Sequence, residues 1–354
     1  MTVLTLDTVE VHAEGEPGRV VMNADVLVQG ATMAERLMYC RDNLDDLRKV
    51  LLHEPRGYPG LCGVFVLSPV TPGSDFGIVI LEQGGFTPMS GSNTMCAVTA
   101  VLETGLITMQ EPITEVTIDT AAGVVRAVAH VSGGKVTSVT VANVPAFVVG
   151  LDVPLQVPGI GTVAADIVFG GQFFAQVKAE DCGIELRQEH GRELARIGAL
   201  IKLAASEQVR VAHPLHPEID GVNLVMLHSG DREPGREDRN TVVITNGPMR
   251  ADDPATWTGT LDRSPCGTGT SARMAALHAR GQLALGEEFR HRSIVNSEFL
   301  GRLTGETEVA GLPAVLPTVT GRAWITGRAQ WVVDETDLFP TGYTVGDIWS
   351  SVTA

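Results

Sequence analysis

The strongest constraint on what this chain can fold into is that one segment of it occurs twice. SGSNTMCAVTAVLETG begins at Ser90 and CGTGTSARMAALHARG begins at Cys266. Without a gap, Ser90 aligns with Cys266, Gly91 with Gly267, Ser92 with Thr268, Thr94 with Thr270 and Gly105 with Gly281. Each copy reads as a tight Gly-containing turn opening a helix of about four turns, closed by a Gly at the C′ position. The helix bodies, Ser92–Thr104 and Thr268–Arg280, are small and apolar on nearly every side, the pattern of a buried helix. The copies lie about half the chain length apart. Duplication therefore predicts two similar halves, each with one buried central helix.

The rest of the chain reads mostly as strand. Val3–Val11, Gly63–Leu67, Phe76–Leu81, Val116–Thr120, Val124–His130, Lys135–Asn143 and Phe173–Val177 are short, rich in Val, Ile and Thr, and bounded by Gly, Pro and Asp. Only Met33–Asp42, with an extension toward His53, and Ile184–Ala205 join the two repeated segments as helices. The fold expected is α/β (α+β): two pseudo-symmetric halves, each a sheet wrapped round one helix. A boundary fits near Asn143–Pro158, where Pro145, Pro154 and Pro158 cluster. The first half then spans 1–148 plus a returning acidic tail from about Asp334 to 354, and the second spans 149–333. Ser229–Asn240 reads as an exposed charged loop.

Net charge is −16, which argues against nucleic acid and anionic membrane surfaces as partners. It does not argue against a small anion, because a local field of N–H groups decides that affinity. No apolar run reaches the length of a membrane helix, and the opening residues lack the pattern of a secretory leader. Five scattered cysteines without a CxxC pair suggest reduced thiols in the cytoplasm. His213 and His216 form HxxH, but Pro214 and Pro217 forbid a regular helix there, so no metal site is expected. Neither a dinucleotide-binding loop nor a Walker-type loop is present. No cofactor is expected.

The chemistry concentrates on the two helix starts. Free backbone N–H groups and the positive end of the dipole bind anions. Two such starts suit one carboxylate. Cys266 leads the second start, where a helix N-terminus lowers a thiol pKa, giving a nucleophile or a general base. Cys40, Cys62, Cys96 and Cys182 carry no such context and read as core residues. Ser90 is either a helix cap or a ligand-facing hydroxyl; its place opposite Cys266 in the repeat favours the second. Asp262, four residues before Cys266, is either a turn-former or a partner for an ammonium nitrogen. Arg263 reads as a residue tying down that loop. FGGQFFAQV, Phe169–Val177, reads as a turn into a strand, supplying either core or aromatic pocket wall.

DRSPCGTGTSA, PMSGSNTMC, HAEGEPGRVV and FGGQFFA together resemble the proline racemase family, from about residue 7 to the C-terminus. That family includes proline racemase, 4-hydroxyproline 2-epimerase and trans-3-hydroxy-L-proline dehydratase. The resemblance implies a diaminopimelate epimerase-like fold of two barrel-like halves with the active site between them. It implies acid/base roles for Ser90 and Cys266 on opposite faces of a substrate α-carbon. It further implies carboxylate contacts from Gly91, Ser92, Gly267 and Thr268, and Asp262 near a ring nitrogen. Family racemases and epimerases usually carry Cys at both acid/base positions, and the dehydratases carry Cys then Thr. This chain has Ser then Cys, and Ser92 where a family His often stands. One strong base with a weak partner suits elimination. The function expected is therefore a cofactor-independent trans-3-hydroxy-L-proline dehydratase, with hydroxyproline 2-epimerase activity beside it. The alternatives are 4-hydroxyproline 2-epimerase, proline racemase, a non-catalytic imino-acid binding protein and a Cys-dependent hydrolase. The expected partner is hydroxyproline or proline, and a homodimer is allowed.

Overall fold

The computed structural model describes residues 3–22, 24–229, 238–245, 249–346 and 348–349. The chain divides into two compact units, Met1–Val141 with Gly321–Trp349, and Ala142–Thr320. These bounds differ from the expected 148 and 334. The return comes earlier because the final strand, Ala323–Asp334, pairs along its whole length with the first strand of the chain.

In the first unit the strands are β1 (Val3–Ala13), β2 (Glu16–Val21), β3 (Cys62–Leu67), β4 (Phe76–Glu82), β5 (Gly85–Thr87), β6 (Ile113–Thr120), β7 (Gly123–Ser132) and β8 (Lys135–Ala142). The final strand pairs with β1, β1 with β2, β2 with β3 in parallel, β3 with β4, β4 with β6 in parallel, and β6 with β7. CGVFVL and FGIVILE are buried over their whole length, as expected of strands covered on both faces. One cover is the pair α1 (Met33–Asn43) and α2 (Asp45–Leu52). Their Met33, Leu37, Leu51 and Leu52 join Phe65, Leu67, Val79 and Leu81 in one apolar cluster. The stretch from Met33 toward His53 is thus two helices, broken at Leu44. The repeated segment forms α3 (Gly91–Glu103), buried from Gly91 to Leu102.

The second unit is a closed ring. Its strands are β9 (Ala146–Val157), β10 (Gly161–Phe169), β11 (Phe173–Lys178), β12 (Leu224–His228), β13 (Asp238–Thr245), β14 (Gly259–Leu261), β15 (Glu288–Arg292), β16 (Glu298–Val309) and β17 (Leu312–Gly321). Pairing runs β9, β10, β11, β12, β13, β15, β16, β17 and back to β9, with β14 beside β13. α4 (Gly191–Gln208) covers the ring, burying Leu194, Ile197 and Ile201 against Ala175, Val177, Val225 and Val243. It starts at Gly191 and not at Ile184. Gly183 turns left-handed at φ 71° and Arg187 is extended, so the chain enters the helix only after a short 3₁₀ turn. Of the expected loop Ser229–Asn240, Asp238–Asn240 belong to β13, and 230–237 lie outside the described residues. The second repeated segment forms α5 (Gly267–Ala279), buried from Gly267 to Leu277 and in contact with β9, β10, β11 and β16.

Both repeated helices end as expected. Gly105 at φ 79° and Gly281 at φ 70° take the left-handed conformation that closes a helix without a Cβ penalty. No helix among the described residues is long and apolar enough to cross a membrane.

Candidate active site

The two helix starts share a plan but not a backbone. Ser90 caps α3 in extended conformation, φ −146°, ψ 125°. Its Oγ accepts from the Asn93 backbone N–H at 3.4 Å and from Asn93 Nδ2 at 3.1 Å, and lies 3.4 Å from Ser92 Oγ. Two donors on one hydroxyl oxygen leave the Ser90 O–H to donate. The Ser90 carbonyl accepts from the amide of Thr94 at 3.0 Å and from its Oγ1 at 2.7 Å. Ser90 therefore does cap its helix, and its O–H faces Ser92 Oγ.

Cys266 takes the corresponding place on α5 with φ 62°, ψ 113°. Such a backbone costs a non-glycine residue about 1–2 kcal/mol and needs fixed surroundings. The loop before it supplies them. Asp262 Oδ1 accepts from Ser264 N at 2.7 Å and Ser264 Oγ at 2.8 Å, and Ser264 Oγ accepts from Cys266 N at 3.0 Å. The Asp262 amide donates to Val242 O at 2.8 Å on β13. Arg263 donates to Leu261 O, and its own carbonyl accepts from Ser297 Oγ at 3.5 Å. The Cys266 Sγ accepts from Gly269 N at 3.4 Å and lies 3.6 Å from Thr268 Oγ1. Gly269 is the glycine this requires: a Cβ there would sit 2.7 Å from Met226 Cε and 3.1 Å from the thiol sulfur. The aligned position in the first copy is Asn93, whose side chain donates where Gly269 offers only its backbone.

The electrostatics overturn the expected low thiol pKa. Burial, with Cys266 6 % exposed, pushes the thiol well above its ordinary value, and the Asp262 carboxylate pushes it further in the same direction. The hydrogen bonds from Thr268 and Gly269 pull it down but do not prevail. A helix start lowers a thiol pKa where water reaches the sulfur; here it scarcely does. Asp262 thus caps its turn and also lies hydrogen-bonded against the thiol. Cys40, Cys62 and Cys96 are buried; Cys40 is pushed up to about 12 and half-buried Cys182 to about 11, each mainly by burial.

The backbone N–H groups of Gly91 and Ser92, and of Gly267 and Thr268, lie in first turns that no carbonyl of the same helix can reach. They are suited to hold carboxylate oxygens. The FGGQFFA turn packs onto α5. A Cβ on Gly170 would meet Thr268 O at 2.3 Å and Ala272 N at 2.6 Å. Asn143 Nδ2 ties the turn to the helix, donating to Gly170 O at 2.8 Å and Ser271 Oγ at 2.9 Å. Phe169 stacks on Phe147, Phe173 packs edge-on to Phe147 and tilted against Phe169, and all three are buried. They form core and not pocket wall. His213 packs against Phe169 and Phe147, and its Nδ1 accepts from Leu215 N. His12 Nδ1 accepts from Gly15 N, and its ring stacks on Trp324.

Ser264, Asn93 and Asn143 escaped the sequence reading. The DRS spacing from Asp262 was the available signal for Ser264; nothing local marks the other two.

This chain belongs to the proline racemase family, which it matches over residues 8–344. It is 41% identical over 335 residues to a 4-hydroxyproline 2-epimerase of Streptosporangium roseum, covering 95% of this chain and 97% of that one. It is 36% identical over 339 residues to a proline racemase of Clostridioides difficile, covering 96% and 98%. A crystal structure of a hydroxyproline epimerase from Agrobacterium vitis with bound trans-4-hydroxy-L-proline superposes with a TM-score of 0.92, at 36% identity and covering 99% and 98%.

Proposed function

We propose that this chain exchanges the α-proton of a proline-type imino acid without a cofactor, and in the first place epimerises a 4-hydroxyproline at C2. The observation that carries the reading is the Cys266 start of α5: a thiol accepting from the first-turn Gly269 N–H with Asp262 beside it. The same activity is named for the relative with 41% identity.

The chemistry follows from these groups. The N–H groups of Gly91, Ser92, Gly267 and Thr268 take the substrate carboxylate. The secondary ammonium of the ring goes to Asp262. Its positive charge offsets the carboxylate that raises the Cys266 pKa, so substrate binding itself eases formation of the thiolate. The thiolate removes the α-proton, and the same N–H groups hold the charge that develops on the carboxylate oxygens. Ser90 O–H, whose oxygen is already occupied by two donors, delivers a proton to the other face, and proton exchange with solvent after product leaves returns a proton to Ser90 and takes one from Cys266.

One observation favours a second reaction. The pair is unequal, a hydroxyl and a thiol, and a hydroxyl is a poor base near neutral pH. With a 3-hydroxyproline, the C–H electrons left by the proton can form the C2=C3 double bond while the C3 hydroxyl, protonated by the Ser90 O–H, departs as water. The resulting enamine tautomerises to a cyclic ketimine.

The deciding experiment incubates the protein in D2O with trans-4-hydroxy-L-proline, trans-3-hydroxy-L-proline and L-proline in turn. Deuterium at C2 with inverted product is expected for the 4-hydroxy substrate, and ketimine for the 3-hydroxy one. Binding without isotope uptake from any of the three would leave an imino-acid binding protein. Cys266→Ser should lower isotope uptake on the order of 10²-fold or more while the chain stays folded; retained uptake would take Cys266 out of the mechanism.

A further inference from the structure

We infer that Asn240, His291 and Thr270 form a positioning bracket for the thiol, gripping the Pro265 carbonyl and so holding Cys266 in its left-handed backbone. The inference rests on the reading of Cys266 as the acid/base residue and names what keeps it in place.

All three side chains are fully buried. The Pro265 carbonyl, immediately before Cys266, accepts from Asn240 Nδ2 at 3.1 Å and from Thr270 Oγ1 at 3.2 Å. His291 joins the two donors: its Nε2 lies 2.8 Å from Asn240 Nδ2, and its Nδ1 lies 2.8 Å from Thr270 Oγ1.

The direction of every hydrogen follows from the partners. Asn240 Nδ2 also faces the Arg292 carbonyl at 3.4 Å. Two carbonyl neighbours admit only the amide nitrogen there, which fixes the side-chain orientation. An amide nitrogen only donates, so His291 Nε2 must accept and carry no proton. His291 is then the neutral Nδ1–H form and donates to Thr270 Oγ1. The Thr270 hydroxyl accepts from His291 and, because a carbonyl only accepts, donates to Pro265 O. The imidazole thereby aims the hydroxyl hydrogen at the carbonyl. Its neutral state agrees with a pKa lowered by burial to about 4.

This arrangement carries a cost that marks a purpose. Among the described residues, Asn240 Oδ1 is buried without a hydrogen-bond partner. A buried orphan acceptor is destabilising, so the asparagine is poorly explained as a stabiliser of the core. It is well explained by the contacts of its Nδ2 with Pro265, His291 and Arg292. The repeat offers an internal contrast. In the first copy Thr94 Oγ1 donates to the carbonyl of Ser90 itself; in the second the aligned Thr270 donates one residue earlier, to Pro265. That shift coincides with the change from extended backbone at Ser90 to φ 62° at Cys266.

The test uses Thr270→Val, which keeps the shape and removes the hydroxyl, against Thr270→Ser, which keeps the hydroxyl. Isotope uptake at C2 and site-resolved alkylation of Cys266 by iodoacetamide, mapped by mass spectrometry across pH, are measured on both. The valine variant should lose kcat on the order of 10- to 100-fold with KM within about twofold, as displacement of a reacting group does. Its Cys266 alkylation profile should shift, and the serine variant should restore both. Wild-type behaviour of the valine variant, or equal loss in both variants, overturns the bracket. Nitrogen NMR of His291 in the unaltered protein needs no variant to fold: the Nδ1–H form is expected, and an Nε2–H form overturns the inference. Alkylation and NMR report even if no proline-type substrate turns over, so failure of the functional reading is told apart from failure of the bracket.

Discussion

At the scale of single residues, Cys266 and Asp262 form one electrostatic unit. Because the Asp262 charge raises the thiol pKa, removing it should lower that pKa. Asp262→Asn should therefore alkylate at Cys266 faster than wild type at any fixed pH below the wild-type thiol pKa, with the profile displaced to lower pH. The same variant should raise KM for imino acids, since the ring ammonium loses its partner. A thiol profile that does not move would mean the carboxylate acts only as the cap of its turn. Ser90 offers the complementary case. Ser90→Cys should raise the ratio of epimerisation to dehydration, because a thiol both gives and takes a proton near neutral pH and an alcohol does so poorly. Chiral chromatography of the products checks this, with Ser90→Ala expected to suppress epimerisation more than proton removal from the Cys266 side. An identical ratio in wild type and both variants would reduce Ser90 to its capping contact with Asn93.

At the scale of elements, close approach of the FGG turn to α5 sets a strict size limit. Gly170 faces backbone atoms of Thr268 and Ala272, which have no rotamer to change. Gly170→Ala should destabilise by about 1–3 kcal/mol or more through overpacking and displace the first turn of α5. Denaturant unfolding with a parallel activity assay would read both effects, and wild-type stability would show that the turn can retreat. How much of this was legible in the sequence differs by element. The repeat announced both buried helices and both closing glycines, because self-similarity and Gly placement are local signals. The strands were legible from their Val, Ile and Thr content. The start of α4 was not: Ile184–Arg187 holds no glycine or proline to bar a helix, and only the left-handed Gly183 and extended Arg187 show that the chain is still turning. At the site, the motif marked Cys266 and Asp262. The sign of the thiol pKa shift depends on burial and on a neighbouring carboxylate, both products of tertiary folding. The partners from β13 and β15 are distant in sequence, so Asn240 and His291 carried no local mark.

For the whole molecule, the buried imidazole couples stability to acid. His291 has a folded pKa of about 4 against an ordinary 6.5, lowered mainly by burial, with Asp238 opposing and Arg273 adding. Between those values the unfolded chain binds the extra proton. Stability is thus fully present above about pH 6.5, falls as pH drops through that window, and levels off below about 4. The effect of this residue is about 3 kcal/mol. Urea midpoints at pH 7, 5.5 and 4.5 should fall steadily in wild type and less steeply in His291→Gln; equal slopes would mean that other groups carry the acid sensitivity.

The ring of the second unit has its own consequence. Among the described residues, β17 meets β9 only at Ala314 with Phe147 and Val315 with Ala146, and β13 meets β15 only at Asp238 with His291 and Arg239 with Arg292. The second join is riveted by side chains, through Asn240 to His291 and through Asp238 to Arg273 on α5. The first is overlain by a groove whose walls include Phe147, Ala146, Ala314 and Val315. The ring therefore behaves as a bracelet with one clasp. Amide exchange should therefore reach Ala146 and Val315 before Asp238 and Arg239; equal protection at the two joins would mean that the side-chain links do not hold the second one shut.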